Sequence, residues 1–131
     1  MRVFVDTNFL LSALIFRGFS ADVFRLILKK HQLIYSEQVK QELMQKLKSK
    51  LMITDDRLQE VLKTLYSLEM VINYQNITYS LRDKDDEIIL STAIYQKCDV
   101  LITGDQDLLT VNNKVNQIEI LSPREFWEKY T

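Results

Sequence analysis

The stretch VFVDTN, residues Val3 to Asn8, is an apolar run of strand-forming residues that ends at an aspartate. A second stretch, VLITGD from Val100 to Asp105, has the same form. Uncharged residues can also make the turn after a strand, so a carboxylate at both places calls for an explanation. In open parallel sheets ligands bind outside the carboxyl ends of the strands, and the two aspartates are therefore candidate functional groups.

Strand-like and helix-like patterns alternate along the rest of the chain. Between the short apolar strands, apolar residues recur three and four positions apart, as in Val39, Leu43 and Leu47. This alternation predicts an α/β fold, a three-layer α/β/α sandwich around a mostly parallel sheet of about five strands. The predicted strands are Arg2 to Val5, Leu33 to Tyr35, Met70 to Ile72, Val100 to Thr103 and Ile118 to Leu121.

Helix boundaries follow from capping residues. Ser36 and Asp55 are predicted N-caps, and Ser122 followed by Pro123 opens a last helix with proline at its first position. The remaining predicted helices include residues 8–16 and 86–97.

Composition limits the kinds of site that the chain can build. Its 131 residues are predicted to form one domain, 1–131, with an ordinary balance of 47% apolar and 27% charged residues. Two glycines are too few for a glycine-rich phosphate loop, and the lone Cys98 excludes a disulfide or a cysteine-rich zinc site. The single histidine, His31, lies at a predicted helix end, which argues against a Ser-His-Asp triad. With no membrane-length apolar run and no signal peptide, the sequence predicts a cytoplasmic protein without a membrane segment.

Two further acids are placed to join Asp6 and Asp105 at one sheet edge. Glu42 stands about 9 Å into the helix that follows Ser36, and Asp86 heads a later helix. Like charges about 4 Å apart repel by about 4 kcal/mol at an effective dielectric constant of about 20, so the cluster would take up protons or a cation. Oxygen ligands without nearby histidine or cysteine suit Mg²⁺ or Mn²⁺, which could bind a phosphate and activate a water.

Each acid also has an ordinary structural explanation. Asp6 could cap the helix that follows it, and Asp86 could favour the positive end of a helix dipole. Asp105 and Asp107 could be turn and cap residues after Gly104, while Glu42 could be a solvated helix residue. Only the joint placement of the acids at one edge favours a functional site.

Four motifs in this order, VDTN, SEQVKQEL, DDEIILSTA and LITGDQDL, give the chain a resemblance to the PIN-domain ribonucleases, a family that includes many toxins of toxin–antitoxin pairs. The resemblance implies Mg²⁺- or Mn²⁺-dependent hydrolysis of RNA phosphodiester bonds. The helix around Phe9 to Phe16 is apolar nearly all round, which indicates burial either in the core or at an interface with a second copy or an antitoxin. The resemblance implies an antitoxin partner and favours a homodimer. Carried over position by position, the acidic quartet is Asp6, Glu42, Asp86 and Asp105, with Asp107 as an additional metal ligand and Thr7, Asn8 and Thr103 as supporting polar residues.

A basic stretch follows Glu42 and offers a candidate contact with a phosphate backbone. A solvated helix is the alternative interpretation of the same residues. The net charge of −1 demands no polyanionic substrate, although a site that holds four of the 18 acids would leave a basic surplus elsewhere. The candidate substrate-binding residues are Lys40, Lys46, Lys48 and Lys50.

Two other functions remain open from the sequence. A phosphatase or phospho-acceptor domain also gathers acids around Mg²⁺, but it would need a free aspartate with a nearby lysine, which VDTN and LITGDQDL do not offer. A scaffold or RNA-binding module could keep the fold and lack the activity. The presence of all four acids argues against that module, and an absence of Mn²⁺ binding would favour it.

Overall fold

The structure is a computed structural model that describes residues 1–131. Its five strands are β1 (Arg2–Val5), β2 (Gln32–Ser36), β3 (Glu69–Val71), β4 (Val100–Ile102) and β5 (Glu119–Leu121). They form one sheet in the order β3-β2-β1-β4-β5, and every neighbouring pair is parallel.

Seven helices connect and cover the strands. They are α1 (Thr7–Ile15), α2 (Phe19–Lys30), α3 (Glu37–Ser49), α4 (Asp55–Tyr66), α5 (Lys84–Tyr95), α6 (Gln106–Leu109) and α7 (Pro123–Tyr130), with a 3₁₀ turn at Asn112–Lys114. None of them is long and apolar enough to cross a membrane.

The order of the strands explains the layers. From β1 to β3 the sheet grows in one direction, and after β3 the chain crosses back to β4 and grows in the other. Because parallel crossovers are right-handed, α1 to α4 lie on one face and α5 and α6 on the other. The last helix, α7, returns to the first face, where the Trp127 ring meets the Phe19 ring of α2 edge-on at 5.6 Å. The predicted three-layer α/β/α sandwich is confirmed.

The central strands β1 and β4 lie fully inside the core. Every residue from Val3 to Val5 and from Val100 to Ile102 is completely buried, as expected for parallel strands that helices cover on both faces. In all, 31 buried apolar residues join one continuous cluster around these strands. The predicted apolar helix is part of this arrangement, since α1 buries Phe9, Leu10 and Ala13.

The register of β1 and β4 brings the two strand ends together. Val5 is opposite Ile102, and the Asp6 amide donates to the Ile102 carbonyl at 3.3 Å. Asp6 and Thr103, the next residues of the two strands, therefore lie side by side at the carboxyl edge of the sheet.

Several predicted boundaries were wrong, and the local capping explains the helical ones. Thr54, not Asp55, caps α4, since its hydroxyl accepts from the Arg57 amide. Helix α5 begins at Lys84 rather than at Asp86, because the Asp83 carboxylate accepts from the Asp85 amide and starts the helix earlier.

Candidate functional site

Asp6 combines helix capping with a buried position at the sheet edge. Its Oδ1 accepts from the Phe9 amide at 2.9 Å, and its Oδ2 accepts from the Thr103 hydroxyl at 2.5 Å. Only 7% of the residue is exposed. Burial raises the pKa of Asp6, the two hydrogen bonds oppose that rise, and the nearby Asp105 carboxylate adds to it.

Three other acids form a compact group next to Asp6. Asp86, Asp105 and Asp107 each place a carboxylate oxygen within 4.8 Å of the other two. Thr103 joins this group to Asp6, because its hydroxyl oxygen also accepts from the Asp105 amide at 3.0 Å. Asp105 caps α6 by accepting from the Asp107 amide at 2.8 Å, which fixes both residues in place. We call Asp86, Asp105 and Asp107 the acidic group below.

Asp86 has the most unusual surroundings of the three. The residue is 8% exposed, and its Oδ2 is buried without a hydrogen-bond partner. Burial raises the pKa of Asp86 from 3.8 to about 7, together with repulsion from Asp105, Asp83 and Asp107 and a side-chain hydrogen bond with Asp105. Buried carboxylate oxygens are normally paired, so an unpaired one beside further acids fits a hard divalent cation.

Glu42 reaches the same edge from α3 but lies beside the acidic group rather than within it. Its Oε2 accepts from the Thr7 hydroxyl at 2.8 Å, and its Oε1 accepts from the Gln38 amide at 3.1 Å. Gln38 also donates to the Asp85 carbonyl at 3.1 Å, which ties α3 to the first turn of α5. Burial raises the pKa of Asp85, and the charge of Glu42 raises it further, so the two carboxylates are close.

The four lysines predicted to bind substrate have different surroundings in the structure. Lys46 donates to the Asn8 amide oxygen at 2.6 Å, and its charge lowers the pKa of Asp6. Lys40 instead lies over the Tyr66 ring at 5.1 Å, and Lys48 is exposed. A cavity of about 300 Å³ next to the site is lined by Glu42, Gln45, Lys46, Ser49, Lys50 and Asp85.

A larger cavity of about 480 Å³ lies away from these acids, at the C-terminal end of α1, and no carboxylate lines it. Because the larger cavity offers no carboxylate ligand, the smaller cavity is the one connected with the candidate chemistry.

Two residues at the site were not predicted from the sequence. Gln38 could have been found, because it precedes Glu42 by four residues and therefore lies on the same face of α3. Arg82 could not, since its guanidinium Nη2 donates to Asp107, 25 residues later, at 3.0 and 3.2 Å.

Comparison with known proteins places the chain in a family. The sequence model of the PIN domain matches residues 2–107. The uncharacterized protein MJ1680 of Methanocaldococcus jannaschii is 29% identical over 143 residues, which cover 99% of this chain and 92% of that protein.

Two solved structures share the fold. The crystal structure of VapBC2 from Rickettsia felis, bound to a DNA fragment from their promoter, matches with a TM-score of 0.67 and 19% identity, over 92% of this chain and 97% of that one. A domain of a functionally unknown protein from Methanocaldococcus jannaschii matches with a TM-score of 0.57 and 17% identity, over 92% and 89% of the two chains. The likeness to both concerns the fold alone. The match of the PIN-domain model over residues 2–107 confirms the resemblance of the four motifs: this chain belongs to the PIN-domain family.

Proposed function

We propose that this protein is a Mg²⁺- or Mn²⁺-dependent endoribonuclease that hydrolyses RNA phosphodiester bonds. The observation that carries the proposal is the unpartnered, buried oxygen of Asp86 within a group of acids at the carboxyl edge of the sheet. Membership of the PIN-domain family, whose members are generally ribonucleases, supports the same activity.

In this proposal Asp6, Asp86 and Asp105 hold the metal, with Glu42 and Asp107 as additional ligands. All of these groups are carboxylates, and the donor set therefore fits a hard cation. A bound divalent ion supplies two things: it polarises a phosphate oxygen and lowers the pKa of a bound water.

The supporting residues keep the acids charged and oriented. The Thr103 hydroxyl opposes the effect of burial on the Asp6 pKa and fixes the direction of that carboxylate. Thr7 and Gln38 each donate to a different oxygen of Glu42 and so orient its carboxylate. Asn8 holds Lys46 at the edge of the site, where the ammonium group is available to an RNA phosphate.

For the substrate path, we assign phosphate binding to Lys46 and Lys50, which line the cavity beside Glu42. Lys40 and Lys48 do not line this cavity, so they contribute less to the proposed contact.

The biological role that we propose is the toxin of a toxin–antitoxin pair, with a homodimeric assembly. The support is a fold shared with a chain of the VapBC2 complex, which was crystallised with promoter DNA. A small DNA-binding protein encoded in the adjoining reading frame is the expected partner, and co-purification of the two chains tests it.

The phospho-acceptor alternative gains no support from the site. Each oxygen of Asp6 accepts one hydrogen bond, from the Phe9 amide or the Thr103 hydroxyl. These bonds leave lone pairs for a metal ion, but they make the carboxylate a weaker nucleophile towards phosphorus.

Cleavage of a panel of end-labelled RNAs in Mn²⁺ tests the proposed activity. Wild type should cleave, and Asp6→Asn and Asp86→Asn should each lower the rate by at least about 100-fold, the scale expected when a ligand of the reacting centre is lost. Asp56→Asn is the matched control, because Asp56 is an exposed aspartate outside the site. Equal cleavage by wild type and both site variants would exclude this site.

A further inference from the structure

Arg82 forms the one ion pair that involves an acid of the site. It lies just before α5 and donates to both oxygens of Asp107, at 3.0 and 3.2 Å. The other three ion pairs of the chain lie elsewhere, and Lys46 is hydrogen-bonded to Asn8 rather than to a carboxylate.

The pair neutralises only part of the acidic group. One guanidinium faces three carboxylates that lie within 4.8 Å of one another, and it is paired with Asp107 alone. The Oδ2 of Asp86 stays buried and without a partner. Asp86 and Asp105 are therefore available to a cation while Asp107 is already paired with Arg82.

The Arg82 side chain can leave this position easily. It is 85% exposed, whereas the Asp107 side chain is 39% exposed. Exposed ion pairs add little stability because water solvates both charges well. A divalent ion that uses Asp107 as a ligand meets the positive guanidinium at the same carboxylate, so the two charges repel and compete for it.

We propose that Arg82 is an exchangeable counter-charge for Asp107. The Arg82 guanidinium competes with a second divalent ion for the Asp107 carboxylate, so the acidic group holds only one ion tightly. The inference rests on the metal site of the proposed function and goes beyond it by assigning a residue that sets the metal occupancy. It makes Asp107 a conditional ligand, used only when Arg82 has moved away.

Mn²⁺ titration by calorimetry, with free Mn²⁺ counted by electron paramagnetic resonance, tests the proposal without measuring activity. Arg82→Gln removes the competing charge. The dissociation constant of the second, weaker-bound Mn²⁺ should therefore fall by about 3- to 10-fold. The gain should shrink at high salt, because salt screens exposed charges. Arg82→Lys keeps the charge but not the guanidinium geometry, so its Mn²⁺ affinity should lie between those of wild type and Arg82→Gln.

Arg25→Gln is the matched control. Arg25 is an exposed arginine paired with Asp22, so the variant makes the same change of net charge away from the site. It should bind Mn²⁺ as wild type does. In an Asp107→Asn background, Arg82→Gln should lose most of its effect, because the two residues act through one contact.

The outcomes separate this inference from the function on which it rests. Unchanged or weaker Mn²⁺ binding by Arg82→Gln, with normal binding by wild type, overturns the competition and leaves the metal site standing. An absence of Mn²⁺ binding in wild type and in every variant overturns the metal site itself and the inference with it.

Discussion

Replacing Asp86 with asparagine tests whether the metal-free site is destabilised by its own charge. Asp86 is buried, and burial together with Asp105, Asp83 and Asp107 raises its pKa to about 7 in the folded protein. In the unfolded chain the pKa returns to 3.8, so the folded state binds the proton more tightly. The contribution of this group to stability is therefore complete below pH 3.8 and is lost as the pH rises through about 7.

The structure sets the scale of the effect. A pKa raised from 3.8 to about 7 corresponds to at most about 4 kcal/mol at pH 8. Solvent at the edge of the acidic group screens the charges, so we expect about 1–3 kcal/mol. Asp86→Asn removes this penalty and keeps the shape of the side chain. The buried amide has a cost of its own, but that cost does not change with pH.

The assay is urea unfolding in EDTA at pH 5 and at pH 8. At each pH the measured quantity is the free energy of unfolding of Asp86→Asn minus that of wild type. This difference should be about 1–3 kcal/mol larger at pH 8 than at pH 5, because Asp86 of the folded wild type is protonated at pH 5. Asp56→Asn should show no such pH dependence.

Addition of Mn²⁺ at pH 8 should shift the stability difference between the two proteins in favour of wild type. Wild type should gain about 2.7 kcal/mol at 100 times its dissociation constant, while Asp86→Asn should gain clearly less. The reasoning is refuted if the stability difference between the proteins is the same at both pH values, or if Mn²⁺ stabilises both equally.

Three further variants test the surroundings of the acids. Thr103→Val removes the hydroxyl that donates to Asp6 and should destabilise the metal-free protein by about 1.5–3 kcal/mol in urea unfolding, whereas Thr103→Ser should restore most of the loss; equal stability of both would contradict this. Lys46→Ala should weaken RNA binding in EDTA and lower the slope of log K against log salt by about 0.7, with Lys48→Ala as the unaffected control. Gln38→Ala frees one oxygen of Glu42 and should reduce the cleavage rate by about 10-fold, and an unchanged rate would remove Gln38 from the site.

Much of the fold followed from local patterns. Apolar strands that alternate with amphipathic helices leave few arrangements besides a parallel sheet covered on both faces, and the carboxyl ends of its strands share one edge. Because Asp6 and Asp105 each follow a predicted strand, these patterns alone were enough to predict that both residues lie at that edge. The pairing of β1 directly with β4 could not be predicted in this way, because no local pattern indicates which strands pair when they lie almost 100 residues apart.

The details that sequence patterns missed depend on competition or on distance. Thr54 and Asp55 are both good capping residues, and the sequence cannot say which of them accepts the bond. Helix α6 spans four residues, too short to show a periodic pattern. The contacts of Arg82 with Asp107 and of Thr103 with Asp6 join distant parts of the chain, so only the folded structure reveals them.

Capping alone does not explain why these strands end on carboxylates. Asp6 caps α1 and Asp105 caps α6, but serine caps helices about as well and carries no charge to bury. Each cap uses one oxygen and thereby orients the whole carboxylate, whose remaining lone pairs can bind a metal ion. Asp86 caps nothing, and one of its oxygens has no partner. Because helix capping cannot account for its burial, Asp86 is the residue on which the proposal of a metal centre most directly depends.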